Sequence, residues 1–385
     1  MFPTLGHLIN YFFGINILFP MPTYGFVLVM AFLSGGLVIR QAFIFREKQG
    51  DISFQKGKKL VSGPIDYSEL VMGIGFNFVV GYKIGGIITD YDLFTKGVDT
   101  YIFSTLGSLW IGLVLAGLTA FYSYYKAKQK YSPEKVFEEV DVYPHSLWLN
   151  IMVVAAFSGI IGAKLFDILE NLDSFFQDPM AQLFSSGGFT FYGGLIMGVL
   201  GVFFYARKQK INILVLMDAA APAILVAYAV GRMACMLSGD GCWGIPNPEP
   251  KPEFLALLPD WMWAYDFPHN VIKEGVPIPS CHGDYCYMLD VPVFPTPFYE
   301  STFSAVFALI IWSLKSKIKA GGILFFMMLI MNGITRFFIE KIRVNNTYDI
   351  GASHITQAEI ISSFLVVGGL IGIFFMIRTY RATKP

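Results

Sequence analysis

Long apolar stretches recur along the chain, and they constrain its fold more than any other feature of the sequence. A helix needs about 20 apolar residues to cross the hydrocarbon core of a bilayer. We find about nine stretches of this kind in the 385 residues. They lie near 24–45, 70–88, 102–124, 147–168, 189–204, 211–237, 299–314, 323–338 and 360–377. The sequence therefore predicts an all-α, polytopic integral membrane protein.

Composition excludes the main alternatives to a membrane protein. Hydrophobic residues make up 55% of the chain and charged residues 15%, whereas soluble domains contain roughly 25% charged residues. Such a high apolar content is not found in disordered chains. The 28 basic residues are matched by 28 acidic ones, so we expect no nucleic-acid partner. Four cysteines in a chain of this length do not indicate a scaffold held together by disulfides.

The charges between the spans predict the orientation in the membrane. Basic residues cluster after the first, third, fifth, seventh and last predicted spans, whereas acidic residues prevail after the second and fourth. Cytoplasmic loops carry an excess of Lys and Arg. We therefore expect the N-terminus outside and the C-terminus in the cytoplasm, in agreement with an odd number of spans. Residues 1–20 contain no Lys or Arg, so we expect no cleavable signal peptide there.

A long loop, residues 239–297, lies on the outer side in this topology and contains three of the four cysteines. Disulfides persist outside the cytoplasm of bacteria. Cys281 and Cys286 are the pair best suited to form one, and reduced thiols are the alternative. A zinc site built from Cys281, His282 and Cys286 is less favoured.

Ionisable side chains inside a predicted span are costly and mark function by default. Lys164 lies late in the fourth span, Asp218 lies within the sixth, and Arg232 lies near the outer end of the sixth. Arg336 and Glu340 close the eighth span. With Arg343 they are spaced i, i+4, i+7, which predicts that the three share one helix face.

Four cations approach the outer leaflet under this topology: Lys164, Arg232, Arg336 and Arg343. They need an anion. Glu340 and Asp240 can supply part of it in a structural network of ion pairs. The other interpretation is a phospholipid phosphate, because arginine binds phosphate with a bidentate fork. Snorkelling to the interface is a further alternative for Lys164 and Arg343.

Two Gly-Gly pairs flank an aromatic segment in residues 187–194, directly before the fifth span. Glycines allow close backbone approach or a broken helix at membrane depth. Tyr192 lies in this segment, next to Gly193 and Gly194. We interpret Tyr192 as a site residue, although a tyrosine at the membrane interface needs no function.

Six blocks of the sequence resemble the bacterial prolipoprotein diacylglyceryl transferase family. They keep the family's order and approximate spacing over nearly the whole chain except about 51–143. The most specific block is 231–244, in which Gly-Arg is followed by Gly-Asp and Trp-Gly. The other blocks are Tyr24-Gly25, Gly162-Ala163-Lys164, 187–194, 295–300 and Arg336-Phe337-Phe338-Ile339-Glu340.

The resemblance implies a single transferase domain over residues 1–385 in the bacterial inner (cytoplasmic) membrane. Because the family usually has seven spans, it also implies that a helix pair at 51–143 is inserted. The family reaction moves the diacylglyceryl group of phosphatidylglycerol to the lipobox cysteine thiol of a prolipoprotein signal peptide. A thioether forms and glycerol 1-phosphate leaves, which is the first step of lipoprotein maturation. The expected partners are these substrates and membrane lipids, with no cofactor and no metal.

The resemblance, together with the chemistry of phosphate binding, predicts the site residues. The catalytic candidates are Tyr192, Arg232, Arg336 and Glu340. In this assignment Arg232 and Arg336 hold the leaving phosphate, and Glu340 orients Arg336. The candidates for substrate binding are Tyr24, Lys164, Gly193, Gly194, Asp240, Gly244, Tyr299, Glu300 and Arg343.

The chain departs from the family pattern at four positions. Tyr192 stands in place of a histidine, Cys235 in place of an asparagine and Lys164 in place of an arginine. Asp240 replaces a glutamate and is followed by one extra residue, Gly241. A phenol is a poor base at neutral pH unless nearby arginines stabilise the phenolate. Tyr192 therefore either takes the proton of the thiol or only hydrogen-bonds the substrate, and both roles stay open.

Two other functions compete with the transferase. The missing histidine is compatible with an altered paralogue that binds lipid or lipoprotein without transfer. A transporter would carry charges at several depths, whereas here all but Asp218 lie toward one side.

Overall fold

The computed structural model of the chain is mostly helical. It describes residues 1–15, 19–52, 54–89, 91, 94, 101, 104–184, 188–344, 347–350 and 353–383. Residues 102 and 103 of the third predicted span, and Gly187 of the glycine-rich segment, lie outside the described residues.

The helices are numbered in chain order within the described residues. They are α1 (Leu5–Phe13), α2 (Thr23–Lys48), α3 (Tyr67–Thr89), α4 (Leu109–Gln129), α5 (Trp148–Glu170), α6 (Leu172–Gln177), α7 (Pro179–Phe184), α8 (Phe191–Lys208), α9 (Ile213–Ser238), α10 (Thr296–Leu314), α11 (Ile323–Glu340) and α12 (Gln357–Thr383). Short 3₁₀ turns cover Pro144–Leu147, Glu253–Leu255 and Asp260–Met262.

The strands form three small antiparallel pairs between helices. They are β1 (Gln55–Ser62) with β2 (Val136–Val142), β3 (Val276–Pro277) with β4 (Tyr287–Met288), and β5 (Thr347–Ile350) with β6 (Ser353–Thr356).

Each of the nine predicted spans corresponds to a helix, which confirms the prediction of a polytopic helical membrane protein. Seven helices within the described residues are long and apolar enough to cross a membrane: α2, α3, α5 with the 3₁₀ turn before it, α9, α10, α11 and α12. Helices α4 and α8 fall short of that measure, because lysine, arginine and tyrosine occupy their last turns. The number of nine spans therefore stays a prediction.

The chain divides into two compact units. Residues 15–21 and 54–143 form unit two, and the rest of the chain forms unit one. In unit two, α3 packs on α4 through Gly81 and Gly85, where a Cβ would collide with Ile111 and Leu115. The predicted inserted pair at 51–143 falls almost wholly in this unit. That it is an insertion into the family fold stays a prediction.

Lys83 lies late in α3 and contacts backbone groups of unit two. Its ammonium group donates hydrogen bonds to the carbonyl oxygens of Tyr101, Ser104 and Leu106, at 3.0, 2.5 and 3.0 Å. It also lies over the ring of Tyr101, 5.1 Å from its centroid. All of these contacts are within unit two, where Lys83 ties the end of α3 to the chain before α4.

Two apolar clusters join the helices of unit one. The first includes Phe43 of α2, Ile151 of α5 and Leu216 of α9. The second includes Leu225 of α9 and Ile311 of α10, and extends to α11. Helix α9 belongs to both clusters, so it is the central helix on which the candidate site is built.

Asp218, predicted as an ionisable residue within a span, has a structural place in unit one. Its carboxylate accepts hydrogen bonds from the backbone N–H groups of Gly322 and Leu324, at 2.9 and 3.0 Å. It also forms an ion pair with Arg46 of α2 at 3.3 Å. The first N–H groups of a helix have no partner within the helix, so Asp218 caps α11 and fastens it to α9 and α2.

The segment between α9 and α10 folds onto a small core of its own. Trp243, Phe267, Leu289 and Val293 are buried together with Met236 at the end of α9. The structure joins two cysteines of this segment, Cys281 and Cys286, by a disulfide. This agrees with the pairing predicted from the sequence and excludes both reduced thiols and a zinc site at these two cysteines.

Candidate active site

The candidate site lies where three helix ends of unit one meet. Helix α9 ends at Ser238, α10 begins at Thr296, and α11 ends at Glu340. Because α10 leads directly into α11, these three ends lie on the same side of the membrane. Arg232, Glu300 and Arg336 lie about 6–9 Å inside those ends, at 1.5 Å per residue. Three neighbouring helices thus present one charged side chain each at similar depth.

Glu300 is the centre of this arrangement and is only 2% exposed. One carboxylate oxygen, Oε1, accepts hydrogen bonds from Nη1 of Arg336 and from the hydroxyl of Tyr228, each at 3.1 Å. The other oxygen, Oε2, forms an ion pair with Nη2 of Arg232. A buried carboxylate needs such partners, because an unpaired buried charge is strongly unfavourable. Glu300 therefore supplies much of the negative charge that these arginines need.

Glu340 and Arg343 complete the cluster. Nη2 of Arg336 contacts Oε2 of Glu340 at 2.9 Å, which is the expected i, i+4 contact within α11. Nη1 of Arg343 lies 3.9 Å from Oε2 of Glu300. The prediction that Arg343 shares a helix face with these residues is wrong, because α11 ends at Glu340.

Arg343 reaches the cluster from the strand-like segment after α11. It pairs with Gly244 in an isolated β-bridge, and the N–H of Ile245 donates to the carbonyl of Ile342 at 2.9 Å. A Cβ at position 244 would collide with the carbonyl oxygen of Ile342. Glycine is therefore required there for the two segments to approach. Gly244 acts on the site by positioning Arg343.

The charges of the cluster do not balance. Three guanidinium groups, from Arg232, Arg336 and Arg343, share the two carboxylates of Glu300 and Glu340. One positive charge is left when all five groups are ionised. A net cation inside a protein at this depth favours the binding of an anion.

Two donors in the cluster are also unsatisfied. Among the described residues, neither Nε of Arg232 nor Nε of Arg343 has a hydrogen-bond acceptor, although both atoms are buried. A buried donor without an acceptor costs roughly 1–3 kcal/mol. Oxygen atoms of a phosphate are suitable acceptors, because arginine donates to phosphate through parallel N–H groups. The arrangement therefore fits a phosphate with a single negative charge.

Cys235, Asp240 and Cys242 lie next to the arginines. Nη1 of Arg232 lies 3.8 Å from the sulfur of Cys235, which is one turn further along α9. The two sulfur atoms and a carboxylate oxygen of Asp240 all lie within 4.8 Å of one another. These three groups offer ligand atoms for a metal ion, but the neighbouring guanidinium group opposes the binding of a cation. Tyr24 of α2 lies within electrostatic range of the same groups.

Asp240 does not act as the expected anion for the arginines in the contacts of the described residues. Its carboxylate accepts a hydrogen bond from the backbone N–H of Cys242 at 3.2 Å. This bond closes the turn after α9. A hydrogen bond from the thiol of Cys235 lowers the pKa of Cys242 to about 7 against the opposing effect of burial, and the charges of Arg232 and Arg343 lower it too.

Lys164 and the glycine pair belong to a second group, between α5 and α8. The ammonium group of Lys164 lies 3.5 Å from the carbonyl oxygen of Gly188 and over the ring of Phe189, 4.9 Å from its centroid. Gly193 lies against the backbone of Gly162 so closely that a Cβ on either glycine would collide with the other helix. This close approach explains the small residues on both helices. The described contacts of Lys164 are thus with the segment that leads into α8, not with the arginine cluster.

The two predicted tyrosines have different surroundings. Tyr192 lies in the first turn of α8 and is 36% exposed. Gly194, two residues after Tyr192, packs on Gly159 and Ala163 of α5. Tyr299, in the first turn of α10, donates its hydroxyl to the carbonyl of Met262 at 2.7 Å. Tyr299 therefore fastens the segment between α9 and α10, and its contact with substrate stays a prediction.

Two residues of the site were not singled out from the sequence. Tyr228 precedes Arg232 by one turn on α9, and its ring lies 5.6 Å from the guanidinium carbon of Arg232. Thr296 is fully buried, and its hydroxyl donates to the carbonyl of Cys242 at 2.9 Å. The i, i+4 spacing of Tyr228 and Arg232 is a signal that could have identified Tyr228 as a site residue. The role of Thr296 depends on a contact between distant segments, which no local pattern predicts.

A family model described as "Prolipoprotein diacylglyceryl transferase" matches residues 110–375 of the chain. The match begins in α4 and includes the arginine cluster and its glutamates.

Several similar proteins are named as phosphatidylglycerol–prolipoprotein diacylglyceryl transferases. A phosphatidylglycerol–prolipoprotein diacylglyceryl transferase of Clostridium botulinum (strain Loch Maree / Type A3) is 29% identical over 239 residues, which cover 62% of this chain and 82% of the relative. A phosphatidylglycerol–prolipoprotein diacylglyceryl transferase 2 of Clostridium perfringens (strain 13 / Type A) is 27% identical over a region that covers 60% of this chain and 78% of the relative. One from Leptospira interrogans is 28% identical over 52% of this chain and 62% of the relative.

Proposed function

Because the chain belongs to the prolipoprotein diacylglyceryl transferase family, we propose that this site transfers the diacylglyceryl group of phosphatidylglycerol to a prolipoprotein thiol. The acceptor is the lipobox cysteine of the signal peptide. One observation carries the proposal: the arginine cluster has one unbalanced positive charge and two buried Nε–H donors without an acceptor among the described residues. Phosphatidylglycerol has a phosphodiester with one negative charge, which matches both features.

The arginines bind the phosphate and stabilise the leaving group. The thiolate sulfur forms a bond to the terminal carbon of the diacylglyceryl group, and the bond from that carbon to the phosphate oxygen breaks. Glycerol 1-phosphate leaves with an additional negative charge. Preorganised cations stabilise charge that develops in the transition state. Glu300 and Glu340 hold Arg232 and Arg336 in that preorganised geometry through the ion pairs described above.

The thiol must lose its proton before it attacks, because the thiolate is the nucleophile. Tyr192 is our candidate beside the reacting sulfur. It either takes this proton or hydrogen-bonds the substrate while the positive cluster lowers the pKa of the substrate thiol. The Gly193 packing that brings α8 against α5 would set the position of its phenol.

The disulfide and the basic loops support the proposed orientation in the membrane. Disulfides persist outside the cytoplasm, and the Cys281–Cys286 disulfide lies between α9 and α10. The three helix ends of the site lie on that same side. We therefore place the protein in the bacterial inner membrane with its site at the outer leaflet, where a signal peptide emerges.

The experiment is transfer by purified protein in vesicles that contain phosphatidylglycerol. The acceptor is a synthetic lipobox peptide, and the thioether product is detected by mass spectrometry. We expect a diacylglyceryl peptide with wild-type protein and none with the lipobox Cys replaced by Ser. Growth of a strain depleted of its own transferase gives a second readout. If the protein binds phosphatidylglycerol but forms no thioether, it is the lipid-binding paralogue and the proposal is wrong.

A further inference from the structure

Two thiols lie within bonding reach beside the arginine cluster. The sulfur atoms of Cys235 and Cys242 lie within 4.8 Å of each other. Cys235 is 6% exposed on α9, and Cys242 is half-buried in the segment after it. Both are free cysteines in this structure.

We expect the surroundings of Cys242 to be oxidising. The same segment between α9 and α10 contains the Cys281–Cys286 disulfide, so the two pairs lie on the same side of the membrane. A compartment that maintains one disulfide exposes a neighbouring dithiol to the same oxidants.

The chain between the two thiols can adjust its conformation. Gly239 and Gly241 have φ angles of +66° and +87°, in the region that glycine adopts without strain. A disulfide needs the two sulfur atoms about 2.05 Å apart. A small movement of the turn at Gly239 to Cys242 and a rotation of the two side chains would bring them there.

The local charges favour reaction of the thiols over capture of a metal ion. Arg232 lies 3.8 Å from the sulfur of Cys235. The charges of Arg232 and Arg343 favour a thiolate on Cys242, and the thiolate is the form that attacks a disulfide. The same positive charge repels a divalent cation from the three ligand atoms of Cys235, Asp240 and Cys242.

We propose that Cys235 and Cys242 are a reversible dithiol–disulfide site next to the phosphate-binding arginines. The oxidant is a molecule with a disulfide of its own. The thiolate of Cys242, the more exposed of the two, attacks that disulfide and releases one thiol. The sulfur of Cys235 then attacks the mixed disulfide and releases the second thiol. Two S–H bonds are lost, one S–S bond forms, and the oxidant takes up two electrons and two protons.

Oxidation changes the arginine cluster, and this consequence rests on the proposed transferase function. The sulfur of Cys235 moves away from Nη1 of Arg232 as it bonds to Cys242. The segment from Cys242 to Gly244 moves with it, and Gly244 pairs with Arg343. These two arginines bear the unsatisfied Nε atoms. We expect the oxidised protein to transfer at least tenfold more slowly and a reductant to restore the rate.

The test counts free thiols in the full-length protein after treatment with oxidised glutathione. The protein in detergent is quenched with acid, denatured without reductant and alkylated with N-ethylmaleimide. The four cysteines of the chain include the two in the disulfide, so untreated protein takes up two labels. We expect none after oxidation, and a cross-linked peptide that joins Cys235 to Cys242. The variant Cys242→Ser is the control and should form no intramolecular cross-link.

The thiol count does not depend on catalysis, so it separates this proposal from the proposed function. Two labels retained after oxidation, a stable glutathione adduct, or exchange with Cys281 or Cys286 would contradict the dithiol site. So would thiols that are protected by added Zn²⁺ and released by a chelator, because they would indicate a metal site. Transfer by Cys242→Ser should match reduced wild type and resist the oxidant. An inactive but normally oxidised wild type would contradict only the proposed function.

Discussion

At the scale of single residues, Glu300 determines how the site works. A carboxylate that is 2% exposed between Arg232 and Arg336 holds both side chains where a phosphate can meet them. Tyr228 adds a hydrogen bond to the same carboxylate. The cluster is an ion-pair network, and we propose that it also binds an anion, because its two carboxylates do not neutralise its three arginines.

Tyr192 gives the first prediction at this scale. If its phenol meets the reacting thiol, Tyr192→Phe should slow transfer by about 10–1000-fold, the effect of a lost transition-state hydrogen bond. Tyr192→His should restore the transfer rate that Tyr192→Phe loses. The measurement is the pH–rate profile of thioether formation. The exposed Tyr122→Phe is the control.

The shape of that profile distinguishes the two roles. A proton acceptor at position 192 makes the wild-type rate depend on pH, and Tyr192→Phe removes this dependence. A hydrogen-bond donor leaves the shape unchanged. An unchanged rate for Tyr192→Phe at every pH would remove Tyr192 from the mechanism.

Cys242 gives a prediction that needs no substrate. Its pKa is lowered to about 7 by the hydrogen bond from Cys235 and by Arg232 and Arg343, while burial and Asp240 oppose this. Only the thiolate reacts with iodoacetamide. The alkylation rate of Cys242 should therefore rise with pH with a midpoint near 7 and level off above it. Cys235→Ala should move the midpoint toward the ordinary thiol pKa of about 8.5. A midpoint near 8.5 in wild-type protein would contradict the described environment.

At the scale of elements, the relative positions of α9, α10 and α11 produce the site, and Asp218 fastens α9 to α11 at the opposite end. Its carboxylate caps α11 and pairs with Arg46. Asp218→Asn leaves the guanidinium group of Arg46 without this buried partner. Loss of one partner of a buried pair costs roughly 3–5 kcal/mol.

We therefore expect Asp218→Asn to lower the midpoint of thermal unfolding in detergent. The folded protein should still bind phosphatidylglycerol, because the change lies at the other end of the helices. Asp260→Asn is the matched control, since the side chain of Asp260 is 92% exposed. A midpoint equal to that of wild type would show that the cap does not hold α11.

Much of this element structure can be predicted from the sequence, for identifiable physical reasons. Apolar stretches of helix length have one stable form in a bilayer, so α2, α5, α9 and the others follow from composition. Arg232 and Arg336 stand out because an arginine inside such a stretch is expensive. The contact of Arg336 with Glu340 follows from their i, i+4 spacing.

The features of the site that could not be predicted depend on contacts between distant segments. The end of α11 at Glu340 is set by the pairing of Arg343 with Gly244, which spacing within one helix does not reveal. The central place of Glu300 depends on three helices that converge. Lys164 has charge and depth similar to the arginines, yet it contacts Gly188 and Phe189, because α5 packs on α8.

At the scale of the whole molecule, the proposed reaction requires one orientation of the protein in the membrane. The segment between α9 and α10 must lie outside the cytoplasm, and the connection between α10 and α11 must lie inside. Leu257 is 99% exposed in the outer segment, and Lys317 is exposed in the inner connection.

A membrane-impermeant maleimide should therefore label Leu257→Cys in intact cells and leave Lys317→Cys unlabelled until the membrane is opened. Both substitutions are made in a Cys242→Ser background, which removes the half-buried native thiol. Labelling of Lys317→Cys alone in intact cells would reverse the orientation and place the site in the cytoplasm.

The central claim is that the arginine cluster binds the phosphate of the lipid through directed N–H groups, and Arg232→Lys tests it most directly. Lysine keeps the charge but lacks the Nε–H and the bidentate fork. The measurement is the transfer rate in vesicles of phosphatidylglycerol, with Arg207→Lys at the exposed end of α8 as the matched control. We predict a rate at least tenfold lower for Arg232→Lys and an unchanged rate for Arg207→Lys. A normal rate for Arg232→Lys would contradict the assignment of the phosphate to this cluster.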